Sequence, residues 1–218
     1  MNTTQAPNTP IYTEAELLEE ITQLDIHSSE SYEVAKKLLT ISSEFDSPLP
    51  TIRCYSALGF IDTLKAEYHS ARTSFSKALI LFEEIKESSS LSKLQKQKLK
   101  LRIEGGIGNT YAFQTFLDLA LPHYYKALKI AEKIKDTQQI CNYLSNIGAI
   151  HVKNHDVDKG LSYFVRAKDV MLKENIHWHL DTMYSNIASC FFEKEDKEGV
   201  LKYLEKALKI ASINKNKD

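Results

Sequence analysis

Small and apolar residues recur along the chain at spacings that place them on one stripe of a helix. The sets are Ala71, Phe75, Ala78 and Leu79, then Ala120, Tyr124, Ala127 and Leu128, then Gly160, Phe164 and Ala167, and finally Val200, Leu204, Ala207 and Leu208. Each follows i, i+4, i+7. Twelve residues before each leading position stands a small residue, Gly59, Gly108, Gly148 or Ala188. Leu58, Ile107, Ile147 and Ile187 precede these in turn. A fainter copy, Ser31, Ala35, Leu38 and Leu39, lies upstream, and its first helix is expected over 14–24.

The leading positions 31, 71, 120, 160 and 200 are separated by 40, 49, 40 and 40 residues. The pattern therefore predicts an all-α chain of about five antiparallel helix hairpins with a period of 40 and one insertion. Expected hairpins are 12–46, 50–87, 93–136, 137–175 and 177–214. The insertion is expected around 86–98, where Ser88, Ser89 and Ser90 interrupt the helical pattern, and residues 1–11 are expected as a disordered leader. A lone helix pair cannot bury both of its apolar faces, so 12–218 is expected to stack as a single solenoid. Gly at the first-helix position and Ala or Gly at the head of the second let two backbones approach, and the aromatic four residues on fills the groove beside them. Asp118 is placed to cap the second helix of its hairpin, with Pro122 in the first turn. Pro48 and Pro50 mark the boundary between the first two hairpins.

Ile107-Gly108, Tyr111, Ala120, Tyr124 and Ala127 resemble the tetratricopeptide repeat, whose pattern runs apolar-Gly, aromatic, Ala-x3-aromatic, Ala. The usual Trp is missing from its slot, and the family's closing Pro would fall at Glu83, Glu132, Leu172 and Ser212. Without that stop the second helix runs on, which accounts for the long period. Asn146-Ile147-Gly148 and Asn186-Ile187-Ala188 are similar to the long-period subclass of bacterial signalling receptors and kinesin-light-chain-like proteins. The resemblance implies a right-handed α-solenoid superhelix whose first helices line a concave face. Carried over position by position, it implies that Arg53, Phe60, Arg102, Asn109, Asn142, Ser145, Asn146, Thr182, Ser185, Asn186 and Ser189 face a peptide or protein partner. Asparagine amides donate and accept at once and so suit an extended backbone, while two arginines suit a carboxylate or phosphate. The alternative is that these are the polar residues of a solvated inner face. Gly59, Ala71, Gly108, Ala120, Gly148, Gly160 and Ala188 are the structural positions of the repeat.

Composition narrows the functions. Lys plus Arg is 28 and Asp plus Glu 29, a net charge of −1, without the basic excess of a dedicated nucleic-acid binder. The charge is uneven, however. Residues 1–35 carry Glu14, Glu16, Glu19, Glu20, Asp25, Glu30 and Glu33 and no Lys or Arg. Lys93, Lys96, Lys98, Lys100 and Arg102, interleaved with leucines, form a basic run over 93–102. That run reads as a solvated amphipathic helix face. The alternatives are an acidic partner, or nucleic acid, though no stacking aromatics accompany the lysines. No apolar stretch of about 18 residues is present, so no membrane partner is expected. Cys54, Cys141 and Cys190 sit in apolar helical contexts far apart, which suits buried thiols in a reducing cytoplasm better than disulfides. His151 and His155 stand at i, i+4 without the glutamate of a metalloprotease motif, and His177 and His179 are expected on opposite sides of a helix. No metal and no cofactor are expected. Glu104-Gly105-Gly106-Ile107-Gly108 lies inside a helix, not after a strand, so it is no phosphate loop. Gly105 and Gly106 suit either tight packing against the preceding hairpin or a ligand's close approach.

No nucleophile–base–acid set emerges, so catalysis is not expected. The sequence points instead to a peptide- or protein-binding module, the sensory or regulatory part of a bacterial signal-transduction protein. The alternative is a passive assembly scaffold or dimerisation module. The chain stops where a further repeat would start, with no polar capping helix. Either a longer protein or a homodimer through the last hairpin is therefore expected.

Overall fold

The computed structural model describes residues 12–85 and 91–215. The expected leader and the triple serine lie outside the described residues. Ten helices are described: α1 (Glu14–Gln23), α2 (Ser31–Ser42), α3 (Leu49–Leu64), α4 (Tyr68–Ile85), α5 (Lys93–Phe113), α6 (Leu117–Ile134), α7 (Thr137–Lys153), α8 (Val157–Lys173), α9 (Leu180–Glu193) and α10 (Lys197–Lys215). No strand occurs among the described residues. The chain divides after Gln114 into two compact units, one holding α1 to α5 and the other α6 to α10.

In the first unit α1 packs on α2 and α3 on α4, while α2 leans on α3 and α4 on α5. The first helices of successive hairpins also touch, α1 with α3 and α3 with α5. Its core holds Ile52, Phe75, Phe82, Ile103 and Ile107, with Leu17, Ile21, Leu38 and Cys54 beneath α1. In the second unit α7 pairs with α8 and α9 with α10, α6 packs on α7 and α8 on α9. The apolar stripes read from the sequence on α2, α4, α6 and α8 are thus buried faces, whereas on α10, which packs only against α9 among the described helices, Ala207 is buried but Leu204 and Leu208 are exposed. Ala71, Phe75 and Ala78 have no exposed surface, and Ala120, Tyr124, Phe164 and Ala167 are buried as well.

The small residues work as the spacing suggests. A Cβ on Gly59 would sit 2.8 Å from the Phe75 ring. One on Gly160 would lie 2.9 Å from the Gly148 carbonyl oxygen and 2.4 Å from Val152 Cγ2. Backbone therefore meets backbone where α7 crosses α8. Gly106, too, is a packing position: its Cβ would fall 2.3 Å from the Phe75 ring. Of the two readings open for this glycine, the one the structure bears out is close packing on the preceding hairpin.

Turns are closed without glycine. Ala66, His155 and Glu195 occupy one repeat position, each with φ near 60°. After each, the next N–H reaches back five residues, Glu67 to Asp62, Asp156 to His151 and Asp196 to Phe191, at 2.8 to 3.0 Å. This is the Schellman arrangement, which satisfies orphan carbonyls at the helix end. Asp156 and Asp196 then cap α8 and α10, accepting from Lys159 N and Gly199 N.

Two local expectations are corrected. Phe116 occupies the equivalent cap position of α6, with no side-chain cap, and the helix begins at Leu117. Asp118 therefore lies within the first turn, and Pro122 lies inside the helix, one turn deeper than expected. Asp118 Oδ1 instead accepts from Asn154 Nδ2 at 3.5 Å. His177 and His179 are not on a helix: they lie in the α8–α9 connection, where His179 has φ 56° and precedes α9.

Candidate functional site

Equivalent positions on the first helices carry the sequence-derived site. In the second unit α7 presents Asn142, Ser145 and Asn146, and α9 presents Thr182, Ser185, Asn186 and Ser189. These are residues i, i+3, i+4 and i+7 of one stripe, and α7 touches α9. Asn142, Thr182 and Ser189 are exposed, and the other four are half-buried. The residues between them, Leu144, Ile147, Ile187 and Ala188, are buried and hold the stripe outward. Ser185 and Ser189 return their hydroxyls to the carbonyls of Asp181 and Ser185. The amides of Asn142, Asn146 and Asn186 make no hydrogen bond among the described residues. Each retains its donors and its acceptor for another molecule.

The first unit differs at the same positions. On α3 Ser56 and Ala57 are buried, and on α5 Gly105 and Gly106, so only the stripe's ends reach solvent. Those ends are Arg53 with Phe60, and Arg102 with Asn109. Arg53 donates from Nη1 to Thr22 Oγ1 of α1 at 2.9 Å, and that hydroxyl donates to the Leu18 carbonyl. The Arg102 guanidinium lies 5.0 Å from the Phe60 ring centre, and Phe60 meets Phe75 edge-on at 5.2 Å. Burial lowers the proton affinity of both arginines, and the charge of Arg53 lowers that of Arg102 further. Neither guanidinium has a carboxylate partner among the described residues.

Several features carry no signal in the sequence. Thr22 lies 31 residues from Arg53, and nothing local pairs them. A polar chain also links three helices of the second unit. Tyr125 Oη lies 2.9 Å from His151 Nε2, Tyr163 donates to Tyr125 at 3.3 Å, and the Tyr163 ring stacks on His151. On its other side His151 Nδ1 is 3.7 Å from Asp156. Burial, with Lys159 nearby, pushes the His151 pKa down against the pull of Asp156. His155, its i+4 neighbour, is exposed in the turn, so the two do not form a pair. No cluster of metal-ligating groups occurs among the described residues.

The cysteines are buried. Burial pushes the Cys54 thiol up to about 12 and those of Cys141 and Cys190 to about 11. Within the basic run, Leu99 and Leu101 are buried and Lys100 pairs with Glu83 at 3.1 Å, so the run is partly spent on packing. No described helix is long and apolar enough to cross a membrane.

No family model matches the sequence, and no curated protein matches it closely. Solved structures do match the fold. A signal-transduction ATPase with numerous domains from Pyrococcus horikoshii, which carries a tetratricopeptide-repeat sensor, superposes with TM-score 0.79 at 20% identity. The match covers 94% of this chain and 31% of that one. A kinesin light chain with TPR-like repeats from Podosopora anserina matches with TM-score 0.67 at 9% identity, over 91% of this chain and 92% of the other. A Rap conjugation gene regulator in complex with a Phr peptide matches with TM-score 0.56 at 16% identity, over 88% and 61%. This chain thus spans less than two thirds of the first and last of these. The fold is of the tetratricopeptide-repeat type, a stack of helix hairpins.

Proposed function

We propose that the chain is a non-enzymatic binding module for an extended peptide or protein segment. In this reading it is the sensory or regulatory part of a cytoplasmic bacterial signalling protein. The observation that carries the reading is the ladder of unbonded amides on α7 and α9, centred on Asn146 and Asn186, with hydroxyls beside them. A polar stripe held outward by a rigid buried row offers an extended backbone its hydrogen bonds with little ordering cost. A sensor module and a peptide complex among the matched structures support it. The test is capture of partners from native cytoplasm, followed by titration of the identified partner against Asn146→Ala and Asn186→Ala. Loss of about tenfold or more in affinity in each variant, with Tm unchanged, is expected. Full affinity in both would move recognition off this face.

A second reading, self-association, rests on α10. Leu201 and Leu208 are 63% and 71% exposed, whereas Leu128, which stands where Leu208 does two repeats earlier, is 5% exposed. An apolar helix face of this kind suits a second copy or another protein.

A further inference from the structure

A cavity of about 400 Å³ lies between α4 and α5, lined wholly by residues of the first unit. Small-molecule sites fall in this range of volume. Its polar wall comes from α4. His69, Arg72 and Lys77 stand there at i, i+3 and i+8 of one helix face, and no described Asp or Glu lines the cavity. Arg166 and Lys194 are offset by Glu132 and Asp158, whereas Arg72 and Lys77 have no carboxylate partner among the described residues. Each is held instead by a neutral group. Arg72 Nη1 donates to Gln114 Oε1 at 2.8 Å, and Gln114 Nε2 donates in turn to the Thr110 carbonyl at 3.0 Å, which fixes the amide. Lys77 Nζ lies 5.2 Å from the centre of the Tyr55 ring. Both charges are therefore oriented without being neutralised.

The facing wall is apolar, built from Ile107 and Tyr111 of α5. The Arg72 guanidinium lies 6.0 Å from the Tyr111 ring centre, so charge and ring meet at one end. Ile80 also lines the cavity, eight residues or about 12 Å along α4 from Arg72, and is 61% exposed. From this arrangement we infer that the cavity binds a small organic anion, a carboxylate or phosphate monoester with an apolar body. The anionic head sits at Arg72 and Lys77, and the body lies against Ile80, Ile107 and Tyr111. Arg72 gives one N–H to Gln114 and keeps the rest of its fork for the anion. Inorganic phosphate fits the head but leaves Ile80 in water, so it is the weaker ligand. The site rests on the first unit alone and stands or falls independently of the amide ladder on α7 and α9.

The test is a titration of the whole chain with phenyl phosphate and with phenylacetate, followed by NMR at the Arg72 side-chain Nε–Hε and the amides of residues 69–80. Inorganic phosphate and the uncharged 2-phenylethanol serve as controls. Saturable shifts are expected from at least one aromatic anion, about tenfold tighter than from either control. Response to phenylacetate identifies a carboxylate, and response to phenyl phosphate alone identifies a phosphate monoester. Arg72→Gln removes the charge and is expected to weaken binding about tenfold with Tm unchanged. Ser76→Phe covers the case in which that variant is unstable. Ser76 is exposed on the cavity wall, so a ring there fills the space, leaves the three polar side chains in place and is expected to abolish binding. No saturable shift from either aromatic anion into the tens of millimolar overturns the site. Equal affinity for 2-phenylethanol does so as well, because charge would then play no part. Full affinity in Ser76→Phe, or in a stable Arg72→Gln, places binding elsewhere and overturns it too. A hexaglutamate peptide that binds far more tightly than either aromatic anion replaces the small ligand with an acidic protein segment.

Discussion

His151 shows how one buried residue imposes a condition on the whole fold. Tyr125 from α6, Tyr163 and Lys159 from α8 and Asp156 in the turn surround its ring, and burial favours the neutral form. Its folded pKa therefore lies below the ordinary value of about 6.5 that it regains on unfolding. Between those two values the unfolded chain holds the extra proton, so stability falls as pH drops below about 6.5. The loss stops growing once pH is below the folded pKa. His151→Gln is expected to remove this component, which a comparison of Tm against pH for the two proteins reads directly. Identical slopes would show that the imidazole does not titrate across unfolding. No local pattern points to this cluster: His151 reads as a helical histidine, and its partners come from residues 26 and 12 positions away on other helices.

At the scale of the helix pair, the contact of α7 with α8 depends on two glycines facing each other. Gly160→Ala gains about 1 kcal/mol of helix propensity. It also places a methyl 2.9 Å from a backbone oxygen that cannot swing aside. Overpacking of this kind costs about 1–3 kcal/mol. A lower Tm is expected on thermal denaturation, and an unchanged or higher one would show that the hairpin can open without cost. The glycine and its partner were legible in the sequence because both lie on the repeat. Pro122 was not. The start of α6 depends on Phe116 and the turn before it, and a non-capping residue in a capping slot leaves the boundary to tertiary packing.

At the scale of the whole molecule the self-association reading rests on the exposed face of α10. Replacing Leu201 and Leu208 by Lys alters residues that are more than 60% exposed, so Tm should shift little. Light scattering over a range of concentrations is expected to show self-association in the parent chain and a monomer in the double variant. A parent that stays monomeric at every concentration removes the second reading and leaves the amide ladder.

The sequence by itself determined the helices, their pairing into hairpins within each unit and, α10 excepted, which face is buried. Those properties follow from the period of small and apolar residues, which is written locally along the chain. It also picked out the amide ladder, because equivalent positions of a repeat share a face. Tertiary structure alone decided that Thr22 holds Arg53, that Arg102 lies on Phe60, that Phe75 fills the space of Gly106 and that His151 meets Tyr125. Those contacts depend on the distances and rotations between packed helices, and the spacing of residues along one helix does not encode them.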